Sequence, residues 1–160
     1  MCPASLPIQG TFYAITKVGN NKAIVIITPK LPPKCNHLFE VELTKDKTDI
    51  SVKELKASKM RRAFHITFTL NGSLYMAGGE DDDYNILSSC ERYDQNKKLW
   101  VDCKHTLPYP MCGASVVVSA YDTYAVITGG LTKRPGLGGL DYAAVLVFTE
   151  GEGFQYVSKL

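Results

Sequence analysis

A chain of 160 residues can build one ordinary domain around a sizeable core. Hydrophobic residues make up 45% and charged residues 21%, the balance of a soluble globular protein. The net charge of +2 is too close to neutral to imply a nucleic-acid or membrane partner, and no apolar run approaches the ~18 residues of a bilayer span.

The opening stretch, MCPASLPIQG, has neither the basic cluster nor the apolar run of a signal peptide, so a cytoplasmic location is expected. The first strand signals follow: TFYAIT at 11–16, KAIVIIT at 22–28 and HLFEVEL at 37–43, short runs rich in β-branched and aromatic residues. Turn-type residues such as VGNN separate them. The stretch 49–64, DISVKELKASKMRRAF, is the one place where a helix competes. Its charges do not leave one clean apolar face, and DISVKEL alternates as a strand, so an all-β reading is preferred.

The middle of the chain predicts strands at 64–70, 73–78, 87–93 and 98–104, joined by Asn71-Gly72, by an acidic loop around EDDDYN and by DQNKK. The last third brings SVVVSA, YAVIT and AAVLVF, closing on FQYV.

A repeat links these parts. YAVITGG ends at Gly130, 51 positions after LYMAGG ends at Gly79. The same step backwards from Gly79 reaches Thr28 in AIVIIT, a copy without the glycines. A second series runs in phase with the first. Trp100 follows Tyr93 by seven, Ile50 follows Leu43 by seven, and Phe154 follows Phe148 by six. Three divergent units result, at 10–58, 60–108 and 110–160, within one domain spanning 1–160. Each is a four-stranded sheet too small to hold a core alone, so neighbouring copies must stack.

Gly78-Gly79 and Gly129-Gly130 end second strands, where glycine allows positive φ and close backbone approach. A phosphate cradle would need a helix after the glycines, and the acids of EDDDYN would repel phosphate. GLGG at 136–139 lies in a long turn before another strand and is equally weak as a phosphate signal. Tyr93 and Trp100 are expected in the wedge between splayed sheets, each with a polar tip that can reach a backbone group, and Phe148 with Phe154 is expected to fill the equivalent wedge less completely.

The five cysteines, Cys2, Cys35, Cys90, Cys103 and Cys112, are odd in number and form no CxxC. They are expected to be reduced thiols rather than a disulfide framework or zinc site. The three histidines are scattered, and EDDDYN lacks the spacing of a calcium loop. No metal or other cofactor is implied.

Taken together, RAFH at 62–65, NGSLYMAGG at 71–79, YDQNKKLW at 93–100 and LPYP at 107–110 resemble the kelch repeat of β-propellers. The resemblance is close in the middle unit. The third unit keeps the double glycine but has MCGA at 111–114 in place of the arginine-to-histidine stretch, and the first is recognisable mainly by phase.

The resemblance implies radial blades with first strands near an axis, here half of a six-bladed propeller. Closure would come from self-association or from further blades. It also implies a non-catalytic module that holds a segment of a protein or peptide partner on rim loops, as kelch adaptors do. The candidates are Arg61, Arg62, Phe64, Asp81, Asp82, Asp83, Tyr84, Asn85, Tyr109, Lys133 and Arg134. For Arg62 the alternative is a turn anchor, and for the three aspartates a solvated loop. The arginines would attract an acidic partner and the aspartates a basic one, and the sequence leaves that sign open. The rival class is a kelch-propeller enzyme, such as an oxidase or sugar epimerase. It would need clustered Tyr, His and Cys ligands, or carboxylates drawn from the exposed EDDD loop.

Overall fold

The computed structural model describes residues 10, 12–29, 35–132 and 144–159. These residues form three four-stranded antiparallel sheets, and all of their named elements are strands. The first sheet contains β1 (Phe12–Lys17), β2 (Lys22–Thr28), β3 (His37–Leu43) and β4 (Ile50–Leu55). The second contains β5 (Ile66–Leu70), β6 (Ser73–Ala77), β7 (Cys90–Asp94) and β8 (Leu99–Asp102). The third contains β9 (Ser115–Val118), β10 (Ala125–Thr128), β11 (Ala144–Thr149) and β12 (Gly153–Lys159). Each sheet is a meander in chain order, as expected of the blades of a propeller.

The first strands meet one another: β1 lies against β5, and β5 against β9. The Thr69 hydroxyl donates to the Lys17 carbonyl at 2.7 Å, tying the first two blades together at this inner edge. Asn71 and Gly72 carry the β5–β6 hairpin with φ of 47° and 71°, the left-handed pair that a two-residue turn demands. The Asp94 carboxylate accepts from the Asn96 and Lys97 amides, both at 3.0 Å, and so sets the β7–β8 turn.

Two apolar seams join the blades. At the first, Ile24, Ile26 and Leu38 meet Leu74, Met76, Tyr93 and Trp100. Trp100 reaches back across this seam, its indole N–H donating to the Lys56 carbonyl at 3.1 Å. At the second seam, Phe68 and Tyr75 stack with ring centroids 5.2 Å apart, and Phe148 meets both edge-on at 5.4 and 5.1 Å. Phe154 lies 4.5 Å from Phe148 and closes this cluster outward. The in-phase pairs of the sequence occupy one structural slot. Leu43↔Ile50, Tyr93↔Trp100 and Phe148↔Phe154 are directly opposed residues on third and fourth strands.

The strand limits differ from expectation at the ends of the middle blade. Phe64 sits at φ 53°, which ends extended pairing before β5 begins at Ile66. Residues 87–89 do not join β7. They lie between two partners: the Leu87 amide donates to Gly79 at 2.8 Å and the Ser89 carbonyl accepts from Gly78 at 3.0 Å, while the Ser88 carbonyl accepts from Leu107 of a neighbouring loop at 2.9 Å and the Leu87 carbonyl from Met111 at 3.0 Å.

The double glycines mark where that loop closes on the blade. A Cβ on Gly78 would lie 2.3 Å from the Met111 carbonyl oxygen, and one on Gly79 would lie 2.6 Å from the Ala63 carbonyl oxygen. Both have positive φ, 65° and 90°, as do Gly129 and Gly130 at 73° and 98°.

Gly79→Ala should therefore combine backbone strain with a clash, costing about 2–5 kcal/mol in urea unfolding. Gly72→Ala is the control, because Gly72 has positive φ but nothing within 4 Å of the added methyl. It should cost only about 1 kcal/mol. Equal losses would mean that close approach at Gly79 is unimportant.

Candidate functional site

The site is the end of the blade stack where two loop sets meet. One set links a fourth strand to the next first strand, and the other links second to third strands. Ala63 and Glu80 exchange backbone hydrogen bonds at 2.9 and 2.8 Å, and Cys112 and Leu131 make the equivalent pair in the next blade, at 3.0 and 2.8 Å. The Gly79 amide donates to the Met111 carbonyl at 2.8 Å. Backbone bonding thus ties the two loop sets together in both blades.

Beneath the rim lies Arg62, with no exposed surface. Its guanidinium donates to Glu91 at 2.6 Å, to the Gly78 carbonyl at 2.9 Å and to the Ser89 carbonyl at 3.1 Å. Its backbone is gripped by the first blade. The Arg62 amide donates to Asn36 at 2.8 Å, while Asn36 and Thr28 donate to its carbonyl at 2.8 and 3.0 Å. Arg62 therefore offers no surface to a partner; of its two sequence readings, the geometry is that of the anchor. Glu91, its buried counter-charge, has no signal in a single sequence, because the pairing links positions 29 apart.

His65 lies next to this anchor. Its Nδ1 is 2.9 Å from the Arg62 carbonyl, which can only accept, so the proton sits on Nδ1. Nε2 is buried with no hydrogen-bond partner among the described residues. Burial first, and the neighbouring Arg62 charge with it, push the ring's pKa down to about 4 against the pull of the carbonyl bond.

The acidic loop is ordered by its own hydrogen bonds. The Asp81 carboxylate accepts from the Asp83 and Asn85 amides at 2.9 and 2.8 Å and from the Asn85 side chain at 3.0 Å. These bonds hold the Asp81 carboxyl below its usual range against a desolvation that alone would raise it. Arg61 spans the two loop sets. It donates to Asp82 at 2.7 Å and to the Pro29 carbonyl at 2.9 Å. The two opposite charges that competed in the sequence thus pair with each other.

What the rim presents outward is largely aromatic. Phe64 is 44% exposed and Tyr84 is 62% exposed. Phe64 packs on Phe12 with ring centroids 4.0 Å apart. Asp83 and Asn85 lie beside Tyr84 and are exposed. Tyr109 is half-buried and packs against the second seam. Lys133 and Arg134 lie outside the described residues.

Both exposed aromatics adopt left-handed backbone, Phe64 at φ 53° and Tyr84 at φ 63°. The paired bridges make Gly113, at φ 67°, the third-blade equivalent of Phe64. The middle blade therefore places a bulky ring where the geometry favours glycine. No sequence pattern signals this, because a left-handed phenylalanine reads like any strand residue.

Among the described residues no group of His, Cys, Asp and Glu is placed to hold a metal ion, and no helix is long and apolar enough to cross a membrane.

Three meander blades around a common edge, with twin glycines at each second-strand end of the latter two, define a propeller of the kelch class. The Kelch motif matches residues 61–105, covering the middle blade and its rim loop. The chain carries a Kelch motif in its middle blade, and its fold is that of kelch-type propeller blades. It is 35% identical over 72 residues to alpha-scruin of Limulus polyphemus, a match covering 45% of this chain and 8% of that protein. Its fold superposes on the solved structure of YjhT with a TM-score of 0.73 at 14% identity, covering 99% of this chain and 54% of that one. The chain thus spans about half the length of that propeller chain and a small part of alpha-scruin.

The His65 environment gives a signed pH dependence. The unfolded ring titrates near 6.5 and the folded ring near 4, so between those values the unfolded chain binds more protons. The stabilising contribution is fully present above pH 6.5, falls as pH drops toward 4 and then levels off. In urea unfolding, wild type should lose on the order of 2 kcal/mol more between pH 7 and 4.5 than His65→Asn. Parallel profiles would refute the assignment.

Proposed function

We propose that this chain is a non-catalytic protein-interaction module, part of a propeller scaffold of the adaptor kind, which holds a peptide or protein segment on its rim. The supporting observation is Phe64. A left-handed non-glycine residue costs about 1–3 kcal/mol, and the third blade shows that glycine fills the same place. Packing on Phe12 leaves Phe64 44% exposed, and that exposed part is read as the partner contact. Tyr84 repeats the pattern on the adjoining loop. Because Arg61 is neutralised by Asp82, the recognition surface is aromatic and hydrogen-bonding, with Asp83 and Asn85 as its polar edge. Engagement of Asp81 and Asp82 within the rim favours binding over acid–base chemistry.

The test uses peptides selected from a random library on the full chain. Phe64→Gly and Tyr84→Gly should each weaken the selected peptides at least tenfold, the scale of a contact-centre aromatic. Unfolding stability should stay within about 1 kcal/mol of wild type, because glycine relieves the backbone. Peptides that bind both variants as tightly as wild type would place recognition elsewhere.

The three blades read as half of a ring. Exposed apolar side chains remain on the outward faces of the innermost strands: Tyr13 at 55% and Ile15 at 68% on the first blade, and Val117 at 65% on the third. Val117 pairs with Val126, which pairs with Val147, giving an apolar row on the face opposite the second seam. We read these faces as seats for further blades, supplied by a second copy. Light scattering on the purified chain should give twice the 17.6 kDa mass. A monomer would assign the missing blades to other sequence.

A further inference from the structure

Cys90 begins β7, and Cys103 follows β8. Extending the β7–β8 register by one step from Glu91↔Asp102 sets the two cysteines directly opposite, and the Cys103 amide donates to the Cys90 carbonyl at 2.8 Å. Opposed residues in antiparallel strands have Cα atoms about 4.5–5.5 Å apart, inside the roughly 4.4–6.8 Å range that a disulfide bridges. The two sulfurs are 2.8 Å apart, against about 2.05 Å in a bond. Both residues are free thiols.

Their surroundings differ. Cys90 is 2% exposed and belongs to the second seam. Cys103 is half-buried and lines an open cavity of about 420 Å³ with Arg92, Lys104, His105, Tyr75 and Glu150. The cavity gives a small polar oxidant access to the Cys103 sulfur, whereas Cys90 is closed off from solvent. The Cys90 thiol donates its hydrogen to the Cys103 sulfur, and that bond, followed by burial, raises the Cys90 pKa. Cys90 thus keeps its proton, and Cys103 is the sulfur placed to react.

We propose that Cys103 and Cys90 form a peroxide-oxidisable thiol pair, with Cys103 as the attacking and Cys90 as the resolving residue. The Cys103 thiolate attacks one peroxide oxygen. The O–O bond breaks, Cys103 becomes a sulfenic acid, and the departing hydroxide takes up the thiol's proton as water. The Cys90 sulfur then attacks the sulfenic sulfur. The S–O bond breaks, and the hydroxyl leaves as water with the Cys90 proton. Two thiols are oxidised to one disulfide, and one hydrogen peroxide is reduced to two waters. The bond would lock the outer hairpin of the middle blade with little backbone movement.

The test treats the purified full chain with hydrogen peroxide, blocks remaining thiols by alkylation and maps peptides without reductant. Trypsin cuts at Arg92, Lys97 and Lys98 between the two cysteines, so their linkage joins two separate peptides. The Cys90–Cys103 link should form first and disappear on reduction. Cys103→Ser should abolish it and leave Cys90 alkylatable. Cys90→Ser should accumulate a dimedone-reactive sulfenic acid on Cys103. If the buried Cys90 variant does not fold, wild type and Cys103→Ser still decide the matter. The proposal fails if peroxide leaves both thiols alkylatable, if links to Cys2, Cys35 or Cys112 form faster, or if Cys103→Ser leaves Cys90 equally oxidisable.

Discussion

The Arg62–Glu91 pair holds the connection between the first two blades in place. Neither side chain meets solvent appreciably, at 0% and 3% exposure, so the charges act in a medium that screens them weakly. Removing one partner from such a pair typically costs about 3–5 kcal/mol, because the other charge is left buried and unpaired. The same residue's peptide is held by Asn36 and Thr28 of the first blade. One arginine therefore fixes the first blade, the linking loop and the second blade at once. Ala63, Phe64 and His65 follow immediately, so the rim inherits its geometry from this anchor.

The two seams solve the same packing problem with different chemistry. At the first, Arg62 supplies a polar staple, and Trp100 adds a hydrogen bond to Lys56 across the wedge. At the second, the position equivalent to Arg62 is Met111, buried at 2%, and aromatic clustering does more of the joining. A polar link survives there too: the Tyr75 hydroxyl donates to Glu150, and Asn71 donates to the same carboxylate at 3.1 Å. A propeller tolerates this divergence because each blade contacts only its neighbours, so each seam can be satisfied locally.

What the sequence made legible was whatever depends on local rules. Short runs of β-branched and aromatic residues marked the strands, Asn71-Gly72 marked a hairpin, and the fifty-residue phase marked three units and the shared slot of Tyr93 and Phe148. The glycine pairs were legible because a missing Cβ is a property of the residue itself. Features set by contacts between distant positions were not. Arg62 and Glu91 find each other over 29 positions, and Arg61 finds Asp82 between loop sets, so charges that stood unpaired in the sequence are paired in the fold. The limit of β7 shifted for the same reason, since residues 87–89 are shared between Gly78-Gly79 and the loop carrying Leu107 and Met111.

The cysteine pair extends this division of labour outward. Near the axis, β5 of the middle blade is flanked by β1 and β9, and the rim is constrained by backbone ladders such as Ala63–Glu80. Among the described residues the outer β7–β8 hairpin has β8 at the sheet edge, and beyond its pairing with β6 it is held by the contacts of Tyr93 and Trp100 with the first blade. Edge strands open more readily than central ones, because fewer hydrogen bonds must break together. A covalent tie between the start of β7 and the end of β8 would act at this least constrained part of the blade. It would stiffen the hairpin that carries the wedge aromatics and leave the rim loops chemically untouched. Because Cys90 follows the loop from second to third strand and Cys103 opens the loop to the next blade, the tie would lie where both loop sets join the outer strands.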